Sequence, residues 1–84
     1  MKISGYAIER IHKNMYRIIN ADGQQVGIIE RNKQASIRPG TGRWHARGTS
    51  KITSYKGLTA QGNNLRETLT IFIECPCRTY IISA

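Results

Sequence analysis

Eight cationic side chains, Arg31, Lys33, Arg38, Arg43, Arg47, Lys51, Lys56 and Arg66, fall in one stretch of sequence that holds no acidic residue. They equal the whole formal net charge of +8, because Lys2, Arg10, Lys13, Arg17 and Arg78 are matched in number by Glu9, Asp22, Glu30, Glu67 and Glu74. Guanidinium and ammonium groups gathered this way neutralise phosphates or carboxylates; their chemistry is recognition. Near the centre of the stretch lies Arg43-Trp44-His45-Ala46-Arg47. In an extended strand this places Arg43, His45 and Arg47 on one face and Trp44 and Ala46 on the other. Such a basic face can meet a nucleic-acid backbone or groove, arginine being the favoured donor to phosphates and guanine edges. A solvated sheet face is the competing reading of the same alternation. The predicted nucleic-acid-binding set is Arg31, Lys33, Arg38, Arg43, His45, Arg47, Lys51 and Lys56. If about six phosphates are neutralised, the log–log dependence of affinity on salt has a slope of roughly −5 on duplex DNA.

Other chemistry is poorly supported. Trp44 and Tyr55 can stack on unpaired bases, although the single tryptophan of so short a chain more often belongs to the hydrophobic core. Cys75 and Cys77 are separated only by Pro76, which strains an intramolecular disulfide. With His12 or His45 they lack the second ligand pair that a structural zinc site requires, so no metal is expected. The five carboxylates form no paired acids, and there is no nucleophile elbow or phosphate-cradling glycine loop. The reading is therefore non-enzymatic, with no cofactor.

The elements that must carry the basic face follow from local pattern. Met15–Asn20 and Gln25–Glu30 are β-rich runs around Ala21-Asp22-Gly23-Gln24, a strong hairpin signal. A three-residue loop aligns Tyr16 and Ile18 with Val26 and Ile28 on one face, leaving Arg17 with Ile19 and Ile29 on the other. Ser4–Asn14 mixes strand and helix spacings and reads as a strand or irregular arm. Residues 32–42, with Pro39, Gly40 and Gly42, read as a basic surface loop. Arg43–Arg47 is the third strand and Lys51–Tyr55 the fourth, followed by a loop punctuated by Gly57, Gly62, Asn63 and Asn64. Leu65, Leu69, Phe72 and Ile73 then share a helical face, with Asn64 as N-cap, Glu67 three residues on, and Pro76 as a stop. The rival is a hairpin turning at Cys75–Arg78, since Leu69, Ile71 and Ile73 also alternate. Thr79–Ser83 adds a strand or packs on the sheet. The expectation is one domain spanning residues 1–84: an α+β fold with a small antiparallel sheet of three to five strands packed against one C-terminal helix, the alternative being all-β.

Hairpin, tryptophan-led basic strand and the helix beginning Asn64-Leu65-Arg66-Glu67-Thr68-Leu69 together resemble the three-stranded-sheet-plus-helix DNA-binding domains of phage integrases. The resemblance covers roughly Met15 to Ile73 and rests on pattern. It implies Arg43, His45 and Arg47 facing a major groove with the helix behind the sheet, in a stand-alone binder without a recombinase domain. The compact basic style also resembles small phage and prophage accessory proteins. The loop of residues 32–42 is long for such a meander, and about ten residues follow the helix. No apolar run approaches the roughly 20 residues of a membrane span, and Met1-Lys2 opens a polar segment, so a cytoplasmic, reducing location without membrane association is expected. The expected partner is nucleic acid, DNA favoured. The alternative is a phage-type interaction module or inhibitor docking on an acidic surface of a host protein.

Overall fold

A computed structural model describes residues 1–31 and 43–78. Seven strands follow in chain order: β1 (Lys2–Ile3), β2 (Tyr6–His12), β3 (Met15–Ile19), β4 (Gln25–Arg31), β5 (Trp44–Gly48), β6 (Leu58–Gly62) and β7 (Cys77–Arg78), with helix α1 (Leu65–Glu74) between the last two. All are antiparallel, and spatial order repeats chain order. The fold is thus a sheet-dominated α+β, with more strands than the expected three to five. The excess comes from the N-terminal segment, which is strand β1 and strand β2, and from the short strand β7.

Tight turns with left-handed residues explain the N-terminal hairpins. Ser4 (φ 51°) and Gly5 (φ 84°) join Ile3 to Tyr6, and Asn14 (φ 63°) closes the turn between His12 and Met15. Asparagine tolerates that conformation because its side chain is short and polar. The β3–β4 connection is organised by Asn20, whose Oδ1 accepts from the backbone N–H of Asp22 (3.0 Å) and of Gln24 (2.9 Å), while Gly23 adopts φ 81°.

The expected alignment of that hairpin is corrected by one residue. Tyr16 lies opposite Ile29 and Ile18 opposite Gly27, so Arg17 faces Ile28 and not Ile29. A bulge between Ile18 and Ile19 absorbs the difference, and Val26 still reaches the core, fully buried. Bulges re-aim side chains in this way, which a pure period of two cannot anticipate.

Lys51–Tyr55 is not a strand either. Residues Thr53–Tyr55 form a single 3-10 turn, and the fourth strand of the notional sheet is Leu58–Gly62, placed where a loop was expected. Ile52 and Tyr55, three residues apart, both pack against the core from this turn. Tyr55 lies parallel to Phe72, with ring centroids 6.2 Å apart. In β6, Leu58 and Ala60 are buried and Gly62 must be glycine, since a Cβ there would come within 2.6 Å of Thr68 Oγ1 and 2.8 Å of Thr68 N.

Helix α1 forms as its pattern predicts. Asn64 Oδ1 accepts from Glu67 N–H at 2.7 Å, and Thr68 Oγ1, fully buried, donates to the Asn64 carbonyl at 2.7 Å. The helix lies across β4, β5 and β6, closest to β6, and buries Leu69 and Phe72 against Ile18, Val26, Ile29, Ala46, Leu58 and Ala60. Asn64→Ala removes the cap and should cost about 1 kcal/mol, read as a lower urea midpoint at unchanged slope. Thr79–Ser83, expected to add to the sheet, lies outside the described residues.

The covered face closes at its far end by a tyrosine pair. Tyr6 on β2 and Tyr55 meet hydroxyl to hydroxyl at 2.6 Å. This hydrogen bond, then burial, then repulsion by the Tyr6 and Asp22 charges, pushes the Tyr55 phenol up to about 12 from its ordinary 10.0. A raised folded-state value means the contribution is complete below pH 10 and is lost as pH climbs toward 12. Wild type should therefore lose alkaline stability over that window more steeply than Tyr55→Phe, followed by denaturant midpoints across the pH series.

Candidate nucleic-acid interface

Strand register decides which side chains share a face. On the covered side, Tyr16, Ile29, Ala46 and Ala60 form one cross-strand row. Arg31, Trp44 and Gly62 form another. Trp44 is partly buried there and meets the edge of Tyr16 at 5.9 Å between centroids, so its ring belongs to the interior. Tyr55 is likewise held in the core contacts described above.

On the opposite side, Glu9, Arg17, Ile28, Arg47, Thr59 and Cys77 lie in one row across six strands. Met15, Glu30, His45 and Gln61 lie in the next. No described helix covers this side. His45 and Arg47 stand on it, half-buried and exposed respectively, and exposed Arg43 immediately precedes β5 with the same parity. The basic side and the tryptophan side of this strand are thus separated as the alternation predicts.

The rest of the expected set divides. Lys51 and Lys56 are exposed on the β5–β6 connection, Lys51 in the turn where its N–H donates to Thr49 Oγ1 (3.3 Å) and Lys56 as the residue closing the 3-10 turn. Arg31 is exposed but pairs with Trp44, so it sits at the rim of the covered face and not with His45 and Arg47. It is the last residue of β4, with the parity of the buried Ile29. Lys33 and Arg38 lie outside the described residues.

Three residues of the open face were not among the candidates. Arg17 reaches the row of Arg47, one strand beyond Ile28, and the polar side chains of Thr59 and Gln61 flank β5 on the other side. Their common signal is cross-strand pairing, which no single run of sequence contains. Two acids temper the charge. Glu9 Oε1 pairs with Arg17 at 2.6 Å, and Glu30 Oε1 stands 3.5 Å from Arg47 Nη2. The second contact is loose and both partners are substantially exposed, so the guanidinium of Arg47 keeps donors for another anion. Among the described residues no group of three His, Cys, Asp or Glu side chains could hold a metal ion, and Cys75 and Cys77 are exposed thiols. No described helix is long and apolar enough to cross a membrane.

Comparison with protein-family models, with curated proteins and with solved structures finds no match.

Proposed function

We propose that this chain is a small non-enzymatic nucleic-acid-binding protein, with DNA the favoured partner, that lays the open face of its sheet and the adjoining basic segments against phosphates. The observation that carries the reading is the acid-free segment from Arg31 to Arg66, whose strand sets His45 and Arg47 on the side of the sheet facing away from α1. Arg43 precedes the strand with the same parity, Lys51 and Lys56 are exposed on the β5–β6 connection, and Thr59 and Gln61 add hydrogen-bonding groups of the kind that contact base edges. The likeness to the integrase sheet-plus-helix domains supports the same docking.

The test is an anisotropy titration of a labelled duplex at about 50 and about 200 mM salt. With about six phosphates neutralised, affinity should fall on the order of a thousandfold between the two. Binding weaker than micromolar at the lower salt, or binding indifferent to salt, would sink the proposal. Capture of an acidic host protein from nuclease-treated lysate, together with that failure, would place the chain among interaction modules instead.

A further inference from the structure

At one end of the open face the sheet opens into a cleft of about 300 Å³ lined by Gln25, Ile28, Arg47, Gly48, Thr49 and Ser50, with Gly27 beside them. Its position follows from the fold. The β3–β4 bulge leaves Val26 without a cross-strand partner and sets Gln25 opposite Ile19, and β5 leaves the sheet at Gly48, where Thr49 N–H donates to the Val26 carbonyl at 2.9 Å. The facing residues Gly27 and Gly48 contribute backbone alone, and the side chains they lack would point to the covered side, toward Ile18 and Phe72 and toward Tyr55. Gly48 is fixed as glycine because a Cβ would overlap the Tyr55 carbonyl on the covered side.

The lining is chemically mixed and contains no acid. Half-buried Ile28 gives an apolar surface, Arg47 a planar guanidinium, and Gln25, Thr49 and Ser50 an amide and two hydroxyls. A bare phosphate has no use for the apolar surface, and a duplex cannot bring a stacked base into so small a recess. A single base turned out of its stack uses all of it, with a ring face against Ile28 and Arg47 and a polar edge toward Gln25, Thr49 and Ser50.

Resting on the nucleic-acid reading above, we infer that this cleft receives one unpaired nucleobase, so that the protein prefers single-stranded or locally opened nucleic acid to an intact duplex. Arg47 then serves twice, through its charge toward the backbone and its plane toward the base.

The experiment compares three labelled ligands of equal length on the full chain: a single strand, the same strand with abasic sites throughout its central third, and the duplex. A ring stacked in the cleft should favour the single strand over the abasic strand and over the duplex by about tenfold. Ser50→Phe, at an exposed turn position, fills the cleft without changing charge. It should abolish that preference while leaving duplex affinity and salt dependence as in wild type. Equal affinity of wild type for the single strand and its abasic counterpart, or a preference that survives Ser50→Phe, overturns the cleft assignment and leaves the general nucleic-acid reading intact. Absence of salt-dependent binding to all three ligands overturns both.

Discussion

Gly48→Ala should destabilise the protein by about 3 kcal/mol or more, lowering the thermal midpoint by roughly 12 to 24 °C, or prevent folding altogether. An ideal Cβ at this position falls 1.8 Å from the Tyr55 carbonyl oxygen and 2.8 Å from its carbon. Both are backbone atoms, so no rotamer change relieves the overlap. Relief requires moving the 3-10 turn, which would separate Tyr55 from Phe72 and from Tyr6. Gly23→Ala is the informative comparison. Gly23 has φ 81° but nothing within 4 Å of its Cβ position, so its replacement should cost only the left-handed penalty of about 1 kcal/mol. Denaturant unfolding of both variants separates close approach from backbone conformation. Equal costs would show that the β5–β6 connection yields more easily than its contacts imply.

The second large effect concerns binding. Replacing Arg43, Arg47 and Lys51 together by glutamine should reduce the salt slope on duplex DNA from about −5 to about −3 and weaken binding sharply at low salt. Stability should change little, because all three are exposed and Arg47 gives up only a loose surface pair with Glu30. The control is Lys2, Arg10 and Arg78 replaced by glutamine, which removes the same charge from exposed positions outside the acid-free segment. Titrations of both variants over a salt series distinguish a face from a net charge. A control that loses as much slope as the test variant would mean that the regional clustering of cations has no consequence for binding.

Local signals in the chain proved good guides where one short segment carries the whole cause. Asn64, Glu67 and the spacing of Leu65, Leu69 and Phe72 specify α1 without reference to anything distant. Asp22-Gly23 likewise places the β3–β4 turn, and the alternation around Trp44 separates His45 and Arg47 from the interior. What misled was tertiary in origin. The bulge at Ile18 and Ile19 shifts parity in β4, which moves Ile29 into the core and Arg31 to the tryptophan side. Gly62 looked like a loop residue, yet its lack of a side chain is what lets Thr68 and the helix approach β6. The β-branched content of Lys51–Tyr55 favours a strand, yet Ile52 and Tyr55, three residues apart, reach the core from one 3-10 turn. The open face itself, with Arg17, Arg47, Thr59 and Gln61 brought together from three strands, exists only once the register is known.

The sequential strand order also shapes how the molecule can be made. Each described strand pairs with the strand before it in the chain, so the sheet can extend as synthesis proceeds, without holding an early strand open for a late partner. Only when α1 emerges does the apolar side of β4, β5 and β6 receive its cover. Until then a nascent chain shows Ile18, Val26, Ile29 and Ala46 to its surroundings, and the ten-residue helix is what takes them out of water.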